Sequence, residues 1–385
     1  MRPETGPPAQ TEHHHGSHRH LAVETRLEPA RSARVDAIVV PTIRHPRWLE
    51  HAINLATDLD CPLVTLHSGN WSGAALASAA MPAEVRYVMI DIGEVDRLNL
   101  PYFATTALLK GTLFERGTDL APKRNLGLLL ARLMNWRRIV FLDDDIEVSG
   151  HEEVRRAASL LDIYDMVGMR IGGFPDNSVV CHAHRATGGA QDSFIGGGAL
   201  AVETTRNPSF FPNIYNEDWF YLLDDKSLRM LAVTGEVRQR SYNPYDRPVR
   251  ARDQEFGDVL AEGVYWLLDD GQSTDWQSAA HADYWIGFLD KRRAFIEEVL
   301  RNVRGLPADS ELDRHAMKAS LVAALGRLHR IEPEFCVAYI KAWAEDREAW
   351  RRHLDKIRRG GSDVSQAVKR LVKTGANQLN WKSLL

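Results

Sequence analysis

Between Asp36 and Leu142, short apolar runs alternate with stretches of helical spacing, and few folds accept that pattern. The run from Asp36 to Val40 is rich in β-branched residues and stops at Pro41 and Thr42, after which Leu49, Ala52, Ile53 and Ala56 recur at helical spacing. Strand, turn and helix follow in that order. Pro62 to His67, Val85 to Ile90 and Arg138 to Leu142 read as further strands, and Asn125 to Met134 as a helix just ahead of the last. Such alternation predicts an α/β fold with a mainly parallel sheet sandwiched by helices. Ser178 to His182, Ala199 to Val202 and Met230 to Val237 read as later strands among Gly-rich and aromatic loops.

After about Tyr284 the pattern becomes helical only. Ile296, Val299, Leu300 and Val303 form one stripe; Leu321, Leu325 and Leu328 a second; Trp343, Trp350, Leu354 and Ile357 a third. These stripes need burial, either on the sheet domain or on a second subunit, which allows a homodimer through the C-terminal helices. Gly360 and Gly361 break the region before a last helix. At the other end, residues 1 to 33 are rich in Pro, Glu, His and Arg without apolar periodicity, and are expected to stay unfolded. His13, His14, His15, His18 and His20 lie in this stretch and read as a flexible surface tract.

The chain has 385 residues, 44% apolar, enough for one large domain and an accessory region. Its net charge of -4 offers no field that would favour nucleic acid as a partner. From Asp290 to Leu385, however, 20 Lys and Arg face 13 Asp and Glu, so the helical end is basic and the preceding part acidic. Three widely separated cysteines, Cys61, Cys181 and Cys336, describe neither a disulfide framework nor a paired-Cys zinc motif. With no run of membrane-spanning length and no apolar run near the N-terminus, the expected setting is cytoplasmic.

The sharpest local signal is Phe141, Leu142, Asp143, Asp144, Asp145, where an apolar strand runs directly into three carboxylates. Carboxylates so close repel one another unless a cation sits among them. Ligands bind at the carboxyl ends of strands in parallel sheets, so the position suits a site. The alternative is an acidic turn capping a helix that starts near Glu152.

These residues resemble the Asp-x-Asp signature of family 2-like GT-A fold glycosyltransferases, the nucleotide-diphospho-sugar transferases. In that family the carboxylates hold a divalent metal, Mn²⁺ or Mg²⁺, that bridges the two phosphates of the donor. The resemblance implies that Asp143 and Asp145 are metal ligands, with Asp144 at the donor nucleotide. Val39 to Arg44 is similar to the family's opening strand and loop, which makes Pro41, Thr42 and Arg44 donor-binding candidates. Asp91 stands where an acidic residue would accept a hydrogen bond from the base. Pro122 to Gly127 resembles a nucleotide-contacting loop and helix start, with Lys123 and Arg124 neutralising phosphate charge and Asn125 beside them. Phe194 to Ala199 resembles the small-residue loop framing the donor sugar and the acceptor, which marks Gly196, Gly197 and Gly198. Tyr215 to Phe220 resembles the Glu-Asp motif of inverting members, with Glu217 and Asp218 catalytic and Trp219 against sugar. Phe210, Phe211, Tyr215 and Tyr221 are either sugar-facing or core.

On this resemblance, residues 34 to 285 form the GT-A domain and 286 to 385 a helical C-terminal region. The implied activity is a non-processive, hexosyl-type transfer from a nucleoside-diphosphate sugar to an acceptor hydroxyl, with inversion. A Gln-x-x-Arg-Trp motif and membrane helices, both expected of processive synthases, are missing. No late His matches a third metal ligand clearly, although His281 is a candidate, and His182 and His184 read as alternating across a strand. The stretch Tyr242 to Asp253, with Arg247, Arg250 and Arg252, reads as a mobile loop able to close over phosphates. Three other readings compete. A haloacid-dehalogenase-like phosphatase continues its motif differently, since here Ile146 and Glu147 follow. A sugar nucleotidyltransferase needs a Gly-rich loop that is missing after Val40. A scaffold on the same fold has no need of both the Asp143 cluster and Asp218.

Overall fold

The computed structural model describes residues 11–25, 33–175, 177–206, 208–307, 312–361 and 363–385. The strands are β1 (Val23–Glu24), β2 (Ala37–Thr42), β3 (Leu63–His67), β4 (Tyr87–Asp91), β5 (Arg138–Leu142), β6 (Ile146–Val148), β7 (Met166–Gly173), β8 (Ala199–Glu203), β9 (Leu231–Gln239) and β10 (Trp381–Leu384). Between them lie α1 (Glu50–Asp58), α2 (Ala74–Ala79), α3 (Ala104–Leu109), α4 (Leu120–Met134), α5 (His151–Leu160), α6 (Val179–Ala186) and α7 (Glu217–Tyr221). Four long helices and a short one follow: α8 (Pro248–Asp269), α9 (Ala282–Gly305), α10 (Arg314–Leu328), α11 (Pro333–Asp355) and α12 (Val364–Lys369) precede β10.

One sheet takes the order β1-β9-β7-β8-β5-β2-β3-β4-β10, with β6 paired to β9 off this path. The pairs among β5, β2, β3 and β4 are parallel, as are β7 with β9 and β9 with β1. β8 runs antiparallel between β5 and β7. Side chains alternate across each strand. Ala37, Val39, Val64, Leu66, Ile139 and Phe141 enter the core under α4 and the later helices. Ile38, Val40, Leu63, Val140 and Leu142 enter a second core with Ala52, Leu55, Ala77 and Val154 of α1, α2 and α5. The expected architecture, a mainly parallel sheet between helices with a helical C-terminal region, is the one observed.

Helix α4 sits unusually close to the sheet because Gly127 has no side chain. A Cβ there would lie 2.8 Å from Val39 Cγ1 and 3.2 Å from Phe141 Cε1. The helix starts at Leu120, ahead of the expected Asn125, since Pro122 falls in its first turn where a missing N–H leaves nothing unpaired. It stops at Asn135, whose φ of 58° is left-handed and whose N–H bonds to Ala131 and Arg132 carbonyls.

Four expectations need correction. Ser178 to His182 is helical, because Ser178 accepts from Cys181 N–H as an N-cap and the short apolar run continues as α6. His182 and His184 therefore share a buried helix instead of alternating across a strand. The stretch from Tyr242 to Asp253 becomes helix at Pro248, which occupies the first position of α8. The C-terminal region is not helical throughout: β10 pairs antiparallel with β4 and closes that edge of the sheet. Lastly, residues 11–25 are ordered against the body, with His14 7% and His18 0% exposed and β1 added to β9. Residues 1–10 and 26–32 of the expected tail lie outside the described residues. The three C-terminal stripes are buried inside this chain, with Ile296, Leu321, Trp343 and Trp350 in the same core as the sheet. They leave the homodimer expectation without support.

Candidate active site

Strand β2 has parallel neighbours on both sides: the chain proceeds from it to β3 and β4 on one side and returns to β5 on the other. The crevice at the carboxyl ends of β2 and β5 is thus a topological switch point, where sheets of this kind bind ligands. Pairing between β2 and β5 ends at Val39 and Phe141, and Pro41, which lacks an N–H, follows. Beyond it the two strands part, and Thr42 faces the carboxylate turn after Leu142.

Each carboxylate of that turn has its own partners. Asp144 accepts from Thr42 Oγ1 at 2.6 Å and from Arg44 Nη1. Arg44 Nη2 reaches Asp145 Oδ2 at 3.0 Å, and its guanidinium lies 4.8 Å above the Trp48 ring, where Arg240 approaches from 5.0 Å. Asp143 receives both oxygens' contacts from Arg124 Nη2, at 3.0 and 3.1 Å. Burial pushes Asp144 up to about 6 against the pull of Arg44 and Thr42, and burial with the charge of Asp143 raises Asp145.

Arg124 is the hub of the site. Its side chain is 2% exposed and its other terminal nitrogen donates to Glu217 Oε1 at 2.5 Å. Glu217 opens α7 after Asn216, whose φ of 61° turns the chain so that Glu217 points inward; Asn216 Nδ2 is fixed on Asp258 at 2.9 Å. Burial raises Glu217 to about 7 and raises Asp218 as well, although Arg124 opposes both.

The Gly196 to Gly198 loop links the two acidic groups. Gly197 N–H donates to Asp218 Oδ2 at 2.6 Å, and Gly198 carbonyl accepts from Asp143 N–H at 2.9 Å. Glycine is required at Gly197, where a Cβ would lie 2.6 Å from Arg124 Nη1 and 2.7 Å from its Cζ. Asp218 and the carboxylate turn therefore flank a single two-residue stretch.

Two cavities adjoin this centre. A cleft of about 450 Å³ is lined by Arg44, Arg116, Arg247 and Arg250 with Asp145 and Tyr215. Four guanidinium groups beside three carboxylates suit a polyanion that approaches a cation. A pocket of about 50 Å³ is lined by Asp218, Trp219, Gly196, Asn177, Ser178 and Ser17 among others. A groove as large as the first, lined by Glu24, Arg170 and Glu236, runs beside β1 and β9 and contains none of the expected site residues.

The remaining candidates fall in different places. Lys123 is buried, and its ammonium donates to Thr42 carbonyl at 3.0 Å and Ser68 Oγ at 2.6 Å while pairing with Asp119 at 2.9 Å. Its three N–H groups face inward, so it braces the β2 end and is not free for phosphate. Asn125 holds Phe211 through both halves of its amide, at 2.8 Å each way, and is 1% exposed. That makes it a bolt between α4 and the Phe211 segment. Asp91 is in register with His67, itself in register with Thr42, so it stands roughly 10 Å from Thr42 at two strand spacings. One of its oxygens caps α2 through Ala74 N–H at 2.6 Å. Phe210, Phe211 and Tyr221 are core, whereas Tyr215 and Trp219 line the cavities. His281 is exposed at the start of α9, and Arg252 pairs with Asp253 and does not line the cleft. Arg116, which lines the cleft, stands alone in a loop and carries no sequence signal.

The oxygen-only donors at Asp143 and Asp145 suit a hard divalent ion, and the arginine between Asp144 and Asp145 shows that the turn already demands positive charge. In donor chemistry the residues present fit such a metal, with Arg44 and Arg124 paired to the carboxylates in this arrangement.

No protein-family model and no curated protein sequence matches the chain. Among solved structures, a mannosyltransferase from Pyrobaculum calidifontis, in complex with GDP-Man and Mn²⁺, is similar at 13% identity and a TM-score of 0.43, over 86% of this chain and 88% of that one. A putative nucleotide-diphospho-sugar transferase from Desulfovibrio desulfuricans G20 is similar at 10% identity and a TM-score of 0.30, over 69% of this chain and 98% of that one. Among the described residues, no helix is long and apolar enough to cross a membrane.

Proposed function

We propose that this chain is a metal-dependent glycosyltransferase that moves a sugar from a nucleoside-diphosphate donor to an acceptor hydroxyl with inversion. The observation that carries the reading is the pairing of Asp218 and the Asp143 turn across Gly197 and Gly198, with an arginine-lined cleft on the turn's side. Asp143 and Asp145 would hold the divalent ion, Mn²⁺ or Mg²⁺, which when bound neutralises charge on the leaving diphosphate.

The other roles belong to side chains. Arg44, Arg116, Arg247 and Arg250 bind the diphosphate and favour its departure. Thr42 and the carboxyl ends of β3 and β4 beyond it carry the ribose and base, with Asp91 furthest from Thr42. Trp219 and Tyr215 offer apolar faces to the sugar and acceptor. Asp218, which burial makes more basic than an exposed carboxylate, takes the acceptor proton. The acceptor oxygen bonds to the anomeric carbon as the carbon–phosphate-oxygen bond breaks, and the electron pair leaves on the diphosphate. Displacement from the side opposite the leaving group inverts the centre. With three free thiols, a reducing compartment is the proposed setting.

Calorimetric titration with a panel of nucleoside diphosphates, with and without Mn²⁺, tests the donor site. One nucleotide should bind in a Mn²⁺-dependent way, and the Asp143→Ala, Asp145→Ala double variant should lose that binding. Equal binding by the double variant, or none by the native chain, would refute the assignment.

A further inference from the structure

A second cluster lies outside the carboxylate turn. His14, Cys181 and Glu262 are all buried, and one potential ligand atom from each lies within 4.8 Å of the other two. They come from three separate parts of the chain: the N-terminal segment, α6 and α8. Cys181 Sγ is 3.9 Å from His14 Nε2, close to the roughly 3.6 Å edge between sulfur and nitrogen in a tetrahedral zinc site. The His14 ring is held flat on Phe295, with centroids 4.1 Å apart, which keeps Nε2 directed at the cluster and at Gln191 Oε1, 2.5 Å away.

The surrounding charge calls for a cation. Glu255, Asp258 and Glu262 follow one face of α8, all buried, with Asp269 two turns further on. Arg292 satisfies Glu255 at 2.8 and 3.0 Å and Asp258 at 2.9 Å. Glu262 is left with His18, 3.3 Å away, whose other nitrogen is engaged at 2.7 Å by Asp269, a carboxylate that His15 and His20 also face. A buried carboxylate with a single imidazole partner has lone pairs left that a metal ion can use.

We propose that His14, Cys181 and Glu262 form a structural zinc site that fastens residues 11–25 across α6 and α8. A thiolate, an imidazole and a carboxylate select zinc over the hard ions suited to oxygen donors alone. Cys181 releases its thiol proton to solvent when the metal binds, and His14 Nε2 exchanges its hydrogen bond with Gln191 for the metal, which leaves the fourth position to water. Docked in this way, Ser17 forms part of the wall of the pocket that contains Asp218, and His18 lies against Trp219 at 5.6 Å. The site shares no residue with the Asp143 turn, although Cys181 and Glu262 also line the pocket that contains Asp218.

The test is metal content and cobalt spectroscopy on the full chain. The native protein should hold about one zinc per chain. Replacement by Co²⁺ should give the near-ultraviolet thiolate-to-cobalt absorption that oxygen ligands cannot produce. Cys181→Ser should abolish that band, and Asp143→Ala with Asp145→Ala should retain it. His14→Ala removes a ligand from the terminal segment without touching the sheet core, and should weaken zinc by at least about 100-fold. A native protein without the band, a band that survives Cys181→Ser, or zinc affinity unchanged in His14→Ala would each overturn the proposal.

Discussion

Removing Arg124 tests whether one buried guanidinium organises the centre. It contacts Glu217 at 2.5 Å and Asp143 at 3.0 and 3.1 Å from a side chain that is 2% exposed. Arg124→Met keeps most of the volume and deletes the charge, and breaking a buried pair in this way costs about 3–5 kcal/mol. Glu217 limits the loss, because burial has already raised it to about 7 and it takes up a proton once its partner is gone. The deficit should therefore be larger at pH 8 than at pH 6. Adding Glu217→Gln removes the orphaned carboxylate and should recover about 1–2 kcal/mol, a coupling within the range seen for contacting residues. Guanidinium denaturation of the two single variants and the double, read from midpoints at unchanged slope, measures it. Additive losses would show that the two groups do not interact and that Arg124 is not the hub.

Three further outcomes follow from the same geometry. Asp218→Asn should lower turnover by at least about 10³-fold, within the range for loss of a general base, while calorimetry shows donor affinity unchanged; near-normal turnover would exclude Asp218 as the base. Gly197→Ala must displace Arg124, whose Nη1 would lie 2.6 Å from the new Cβ, and should destabilise by about 1–3 kcal/mol, as read from denaturant midpoints. His67 is fully buried and held down to about 4 by burial and the nearby Lys123 charge, so the unfolded chain binds more protons between about pH 4 and 6.5. Its contribution is complete above about 6.5 and declines as pH falls, losing about 2 kcal/mol by pH 5, and His67→Gln should flatten that slope in a pH series of denaturation midpoints.

The carboxylate turn and the strands around it were legible because their signals are local. An apolar run such as Arg138 to Leu142 ending in three Asp residues has one comfortable position, the end of a buried strand. Chemistry carried by single basic residues was not legible in the same way. Lys123 and Arg124 stand next to a nucleotide-like motif and read as phosphate ligands, yet the helix period turns both toward the sheet, where Lys123 braces Thr42 and Arg124 joins Asp143 to Glu217. Asn125 turns the same way and bolts Phe211. Sequence distance from the motif gives no warning, because the helix starts at Leu120 and the direction of each side chain follows from that start. The N-terminal segment was hidden for a different reason. It docks through β1 on β9, through His18 on Asp269 and Glu262, and through the His14 ring on Phe295, with only Leu21 and Ala22 against the core, so hydrophobic periodicity has little to detect. What anchors it is the acidic face of α8, more than two hundred residues later in the chain. A histidine-rich terminus reads as a solvated tract until the buried carboxylates that need its charge are known, and the same long-range dependence hides the N-terminal wall of the pocket that contains Asp218.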